Sequence, residues 1–69
     1  MKGQYAQWLG TGESAFPSAV WADTSVRKGC IFQVLENEHP GIDGRNYLTL
    51  YHPIQGDFEM AAEHFKKLV

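Results

Sequence analysis

The chain has 69 residues, with six Lys and Arg against eight Asp and Glu, and a formal net charge of −2. This length fits one domain, and a single cysteine excludes an internal disulfide framework. No apolar run approaches the roughly 20 residues that cross a bilayer, and the N-terminus lacks the apolar segment of a signal peptide. Because a lone thiol is typical of a reducing compartment, we expect a cytoplasmic protein without a membrane partner.

The N-terminal part of the chain predicts two short strands. Residues 4–9 alternate between the two faces of a strand, and a glycine-rich loop follows them. Residues 19–22 are predicted to form the second strand, because Val20 and Val26 belong to a segment rich in β-branched side chains. The alternative for this segment is a helix over residues 18–28 that ends at a glycine.

Two longer strands are predicted at residues 29–36 and 46–52. Their side chains alternate, so Leu48 and Leu50 are assigned to the core side and Tyr51 to the outer face. The connection at residues 37–45 is rich in turn formers and too long for a tight hairpin, which predicts a protruding loop. On the first of these strands the core set is Cys30, Phe32 and Val34.

The C-terminal segment predicts an amphipathic helix over residues 57–69. Asp57 can cap its first turn, and Lys66 and Lys67 lie near the negative end of its dipole. Burying Phe58 and Phe65 would contribute roughly 1.5–3 kcal/mol each, so the helix needs a sheet face to cover. The apolar stripe at helical spacing comprises Phe58, Ala61, Ala62, Phe65 and Leu68.

These elements predict an α+β fold, with a small antiparallel meander of three or four strands and one C-terminal helix packed on one face. The alternative is a βαββα two-layer arrangement. The strands followed by a Gly-Asp-Phe-Glu helix start resemble, in topology, small DNA-binding domains built from a three-stranded sheet and one helix. The basic strand residues that such domains use for base contacts are absent here.

Catalytic and metal sites are not predicted, and neither is a cofactor. The candidate ligands are too widely spaced for a zinc site, whose ligands come in tight pairs. A cysteine at the start of an apolar strand is expected to be buried and unreactive. The residues considered are Cys30, His39, His52 and His64.

The feature that points to function is a strand with aromatic residues at alternating positions of one face. Aromatic side chains supply much of the binding energy of protein interfaces. We therefore predict a small non-enzymatic interaction module, an accessory or inhibitor protein of the phage or mobile-element type, that binds a larger protein or itself. The predicted interface comprises Gln33, His39, Ile42, Arg45, Tyr47, Thr49 and Tyr51.

Two other functions remain as alternatives. Nucleic acid could bind the same sheet, with Arg27, Lys28 and Arg45 contacting phosphates, but the net charge of −2 disfavours it. The third possibility is a small enzyme subunit that needs a partner chain, since a chain of this size has little room for a cleft.

Overall fold

A computed structural model describes residues 4–68 of the chain. The five strands are β1 (Gln4–Trp8), β2 (Ile31–Pro40), β3 (Asn46–His52), β4 (Gly56–Ala61) and β5 (Phe65–Leu68). They form one antiparallel sheet in the order β4-β3-β2-β1-β5. A one-turn helix α1 (Ser18–Trp21) and two 3-10 turns, Glu13–Ala15 and Ala62–His64, complete the described part of the chain.

The chain connectivity forces this sheet to curl. β4 and β5 are its opposite edges, which would lie about 19 Å apart in a flat sheet of five strands. Yet β4 ends at Ala61 and β5 begins at Phe65, and these four residue steps span at most about 14 Å. The edges therefore bend towards each other. Accordingly, Phe32 on the central strand reaches both Phe58, at 5.7 Å between ring centroids, and Phe65, at 5.8 Å.

The core fills the concave side of the curled sheet. Phe16, from the long β1–β2 connection, covers its opening, with its ring centroid 4.9 Å from that of Trp8 and 6.0 Å from that of Phe58. Tilted and edge-to-face aromatic contacts of this kind add to the burial energy. The buried cluster comprises Ala6, Trp8, Phe16, Val20, Phe32, Val34, Leu48, Leu50, Phe58, Met60 and Phe65.

The C-terminal helix predicted over residues 57–69 is wrong, and so are the α+β class and the βαββα alternative. Within residues 4–68 the longest helix has four residues, and the segment from Gly56 forms β4, a 3-10 turn and β5. Phe58 and Met60 also alternate with acidic residues, and as a strand this segment buries both. Met60 is not part of the apolar stripe at helical spacing, so a helix would not have buried it with the rest of the stripe. Pairing with β3 satisfies the backbone hydrogen bonds of this segment, whereas a short isolated helix is only marginally stable in water. Val69 lies outside the described residues.

The strand predicted at residues 19–22 is also wrong. The structure has helix α1 there, beginning after Pro17, with the amide of Trp21 donating to the Pro17 carbonyl at 2.9 Å. The alternative helix over residues 18–28 is wrong in its length, because turns follow α1 directly. One helical turn is sufficient to bury Val20 against the core.

The loop predicted at residues 37–45 is shorter than expected. β2 continues to Pro40, and a tight turn closes with the Gly41 amide donating to the Arg45 carbonyl at 2.7 Å. Gly44 has a φ of +83°, a conformation that glycine adopts without strain. β2 and β3 therefore form a long hairpin.

Candidate binding surface

The strand register places one row of side chains across the whole convex side of the sheet. Tyr5 lies opposite both Leu68 and Gln33, and Gln33 lies opposite Tyr51. Tyr51 in turn faces Asp57 on the edge strand β4. Directly opposed residues of an antiparallel pair lie on the same face. The row therefore runs across five strands without a break.

Apolar side chains surround the middle of this row. Ile31 and Leu35 lie two residues before and after Gln33 on β2, so they share its face. Together with Tyr5 and Tyr51 they are between 42 % and 54 % exposed. We call this surface the outer face, defined as Tyr5, Ile31, Gln33, Leu35 and Tyr51.

An acidic groove borders the outer face on the β4 side. It has a volume of about 370 Å³ and is lined by Leu35, Thr49, Phe58 and three carboxylates. A register shift in β2 after Val34 brings Glu36 opposite Thr49, whose other neighbour, on β4, is Glu59. The buried Thr49 hydroxyl donates to Glu36 Oε1 at 3.2 Å. The three carboxylates that define the acidic groove are those of Glu36, Asp57 and Glu59.

His39 lies beside this groove. Its Nε2 is 3.3 Å from Glu59 Oε2, and its Nδ1 is 2.9 Å from the Asn37 carbonyl oxygen. The pKa of His39 is raised, first by the Asn37 carbonyl and then by Glu59, while desolvation opposes the rise. The cationic form of this imidazole therefore persists to a higher pH than that of an ordinary histidine.

Tyr47 lies at the start of β3, next to the hairpin turn, and is not part of the outer face. Its hydroxyl donates to Asp43 Oδ2 at 2.7 Å, and its ring packs against Gly41. This hydrogen bond is the first cause of a raised Tyr47 pKa and of a lowered Asp43 pKa. Of the three predicted interface residues on β3, Tyr51 is exposed, Tyr47 is half-buried and Thr49 is buried.

The remaining predicted interface residues lie either on the outer face or at the β2–β3 turn. Gln33 is central to the outer face. His39, Ile42 and Tyr47 line a second groove of about 560 Å³ at the β2–β3 turn, and this groove shares Glu59 with the acidic groove. Arg45, at the same turn, places Nη1 3.6 Å from Glu63 Oε2. The structure therefore divides the predicted interface into an outer-face part and a turn part.

The three cations predicted to contact phosphates do not form one patch. Arg27 and Lys28 precede β2, whereas Arg45 follows its far end, and β2 is ten residues long. Arg45 is also engaged by Glu63. The carboxylates of the acidic groove lie on the sheet face that nucleic acid would have to approach.

Ser25, Asp23 and His52 have the residue types of a hydrolase triad but not its hydrogen bonds. The Ser25 hydroxyl donates to Asp23 Oδ1 at 2.7 Å instead of contacting the histidine. His52 is 2 % exposed, and its Nε2 lies 2.7 Å from Asp23 Oδ2. Its Nδ1 accepts from the amides of Ile54 and Gln55, so the Nε2 proton donates to Asp23. This cluster ties the β1–β2 connection to the β3–β4 turn.

The electrostatics of this cluster agree with a structural role. The pKa of Asp23 is lowered to about 2, first by the hydroxyl and amide of Ser25 and then by His52. The carboxylate therefore stays ionised at all physiological pH values and accepts hydrogen bonds.

Neither a metal site nor a membrane-spanning helix is present within residues 4–68. No three His, Cys, Asp or Glu side chains within residues 4–68 are grouped so that they could hold a metal ion. His64 Nδ1 is instead 2.9 Å from the Thr11 hydroxyl. Over the same residues, no helix has the length and apolarity needed to cross a membrane.

Sequence reasoning missed several residues of the surface. The alternation of residues 4–9 separates Tyr5 from Ala6 and Trp8, but nothing local shows that the neighbour of Tyr5 across the sheet is Gln33. The predicted helix includes Asp57 and Glu59, so the sequence analysis did not place them on the sheet. Their alternation with Phe58 and Met60 was the signal that could have found them.

Comparisons with known proteins found no matching family model, no matching curated protein and no matching solved structure. The function of this chain therefore has to be inferred from the geometry of its surface.

Proposed function

We propose that this chain is a small non-enzymatic binding module that docks onto a partner protein through its outer face. The observation that carries the proposal is the contiguous exposure of Tyr5, Ile31, Leu35 and Tyr51 around Gln33. Single exposed apolar residues are ordinary on a protein surface, but a contiguous exposed apolar patch is typical of an interaction site.

The outer face is built on rigid backbone. β2 lies between β1 and β3, so both of its edges take part in the sheet where Gln33 pairs with Tyr5 and Tyr51. A surface already held in place loses little conformational entropy when a partner binds. Gln33 adds an amide donor and acceptor at the centre of the apolar ring, which can fix the orientation of a partner.

The proposal gives two histidines of the described chain a structural role. His52 uses both ring nitrogens in structural contacts, and His64 is bonded to Thr11. We also retain the cytoplasmic location inferred from the lone thiol as part of this proposal.

The test is capture of a partner by the tagged full chain from a lysate of the source cells, with and without nuclease. Ile31→Ser removes an apolar side chain from the outer face. Ile54→Ser makes the same change in the β3–β4 turn, where the side chain is also exposed. We expect Ile31→Ser to weaken binding of the purified partner at least fivefold and Ile54→Ser to leave it unchanged.

Circular dichroism of both variants checks that the fold is intact. Equal binding by the wild-type chain and both variants would contradict the proposal. Capture that disappears with nuclease would favour the nucleic-acid alternative, and concentration-dependent dimerisation lost in Ile31→Ser would identify a second copy as the partner.

A further inference from the structure

A cavity with aromatic walls lies where the β1–β2 connection folds over the end of β1. It has a volume of about 240 Å³ and is lined by Trp8, Phe16, Trp21, Asp23 and three smaller residues of the connection. Trp8 and Phe16 form its buried wall, with ring centroids 4.9 Å apart and ring planes inclined by 57°. Trp21, the last residue of α1, forms its exposed wall. We call this space the aromatic cavity, defined as Trp8, Phe16, Trp21 and Asp23.

The Trp21 side chain contributes little to the core. It is 61 % exposed and lies outside the buried cluster, whereas its neighbour Val20 is fully buried in that cluster. Val20 therefore anchors α1, and the Trp21 ring is left at the surface beside the cavity. Tryptophan is among the residues that most often dominate binding energy. An indole at the mouth of a cavity is therefore a candidate ligand contact.

Asp23 adds a negative charge at a fixed position. Its carboxylate accepts hydrogen bonds from the amide and hydroxyl of Ser25 and from Nε2 of His52, at distances between 2.7 and 2.9 Å. All three donors are neutral, because His52 donates through Nε2 and accepts through Nδ1. Within residues 4–68 no lysine or arginine lies within ion-pair distance of Asp23. The carboxylate therefore keeps its full negative charge beside the aromatic walls.

We propose that the aromatic cavity binds a quaternary ammonium group. A sphere of the cavity's volume is about 8 Å across, so a cation near its centre is close to all of its walls, and cation–π attraction extends to about 6 Å from a ring centroid. Asp23 supplies the complementary charge. This inference goes beyond the proposed function, because the cavity contains no residue of the outer face.

The polar groups of the cavity select against other ligands. A primary ammonium group has three N–H donors that need acceptors. Asp23 and Thr24 are the polar residues of the lining, and three acceptor positions of the Asp23 carboxylate are already filled. The indole N–H of Trp8 donates to the Thr11 carbonyl at 2.8 Å, so it is not free to hold an anion, which Asp23 would also repel. A quaternary ammonium group has no N–H to satisfy, and aromatic walls suit it.

The chain contains its own reporter for this site, because its two tryptophans, Trp8 and Trp21, both line the cavity. Choline is titrated into the ¹⁵N-labelled full chain at constant ionic strength, and binding is followed by indole fluorescence and by the two indole N–H resonances. The control probe is the neutral isostere of choline, in which a tert-butyl group replaces the trimethylammonium group. We expect choline to bind with a dissociation constant on the order of 1 mM, and the neutral probe about tenfold more weakly or less.

A second titration identifies the source of the quaternary ammonium group. Acetylated and amidated trimethyllysine presents this group as a protein side chain does, whereas choline presents it as a free small molecule. Tighter binding of the trimethyllysine compound would assign the cavity to a methylated side chain of another protein. Tighter binding of choline would assign it to a free small molecule.

Replacing the exposed ring tests the aromatic contribution. Trp21→Leu should weaken choline binding about fivefold or more, with the Trp8 indole resonance as the readout. Trp21→Tyr is the matched control, because it keeps an aromatic ring at the same position and should retain most of the affinity. Since Trp21 is exposed and outside the core cluster, both variants should keep the fold, which circular dichroism checks.

A pair of aspartate variants tests the charge. Asp23 and Asp43 each accept hydrogen bonds from a backbone amide and a hydroxyl group, but only Asp23 lines the cavity. Asp23→Asn should weaken choline binding about threefold or more, because it removes the charge that faces the cation. Asp43→Asn removes the same charge from the β2–β3 turn and should leave choline binding unchanged.

Four outcomes would overturn the inference: no saturable choline binding, equal binding of the neutral isostere, unchanged binding by Trp21→Leu, or equal weakening by Asp23→Asn and Asp43→Asn. The two proposals fail separately. Absence of choline binding refutes the cation site and leaves partner capture through the outer face standing. Normal partner binding by Ile31→Ser refutes the outer face and leaves the choline result standing.

Discussion

The buried imidazole of His52 is expected to be the most sensitive polar site of the fold. Its ring joins Asp23 in the β1–β2 connection to the amides of Ile54 and Gln55 in the β3–β4 turn. His52→Phe keeps a planar ring of similar size but removes all three hydrogen bonds. The loss of these bonds is therefore separated from the loss of packing.

The size of the effect follows from these contacts. A hydrogen bond to a charged group contributes about 1.5–3 kcal/mol and a neutral one about 0.5–1.5 kcal/mol. The two bonds to Nδ1 of His52 are 3.2 Å long and share one acceptor, so we count them at the low end. The sum is about 3 kcal/mol. A chain of this length has a total unfolding free energy of about 3–10 kcal/mol.

Thermal and urea unfolding followed by circular dichroism measure this loss. We expect His52→Phe to lower the midpoint by about 12–24 °C, since 1 kcal/mol shifts a domain of this size by 4–8 °C. Two further variants separate the contribution of the Nδ1 hydrogen bonds from that of the Nε2 hydrogen bond. Asn at position 52 can supply an acceptor near Nδ1, whereas Gln can supply a donor near Nε2. Each should recover part of the loss.

His39→Phe is the control, because it makes the same substitution at a histidine on the protein surface. The two contacts that it removes are exposed to solvent, so it should lower the midpoint by much less than His52→Phe does. A His52→Phe protein as stable as the wild type would refute the reasoning. Equal losses in the Phe, Asn and Gln variants would show that the shape of the ring matters and its hydrogen bonds do not.

Two further predictions concern the turns. The Tyr47 hydroxyl bond to Asp43 raises the tyrosine pKa above 10.0, so this bond stabilises the fold fully below pH 10 and is lost as the pH rises through the raised value. An ultraviolet titration should show one tyrosine ionising late, and Asp43→Asn should reduce that delay, leaving the part due to desolvation. Gly12→Ala should destabilise the fold by about 1 kcal/mol or more beyond Gly44→Ala, measured by urea unfolding. Both glycines have positive φ, but only the methyl group at position 12 would collide with the His64 ring. Equal losses in the two variants would contradict this reasoning.

The inner and outer sides of the central strands follow from local sequence alone. The alternation of residues 46–52 assigns Leu48 and Leu50 to the core, and the structure buries both. Phe32 and Val34 on β2 follow the same rule. Side-chain direction along a strand has a period of two residues, so this information is local and can be read without knowing the neighbouring strands.

The strand conformation of the C-terminal segment depends on contacts with distant parts of the chain. Phe58 and Phe65 fit a helical stripe, and Phe58 and Met60 fit a strand, so the local pattern supports both. β3 has one edge against β2 and needs a partner on the other, which β4 supplies. The segment after β4 then closes the curl by pairing β5 with β1. Both pairings join residues that are far apart in the sequence, so the spacing of apolar residues within the segment does not predict them.

The same long-range pairing created the candidate site. Tyr5 and Leu68 lie near opposite ends of the chain, yet they share one row with Gln33 and Tyr51. The acidic groove likewise needs the register shift in β2 and the strand state of Asp57 and Glu59. Sequence alternation could give the face of each residue within its strand. Only the strand order and register decided which of them became neighbours, because those are set by burial of the whole core.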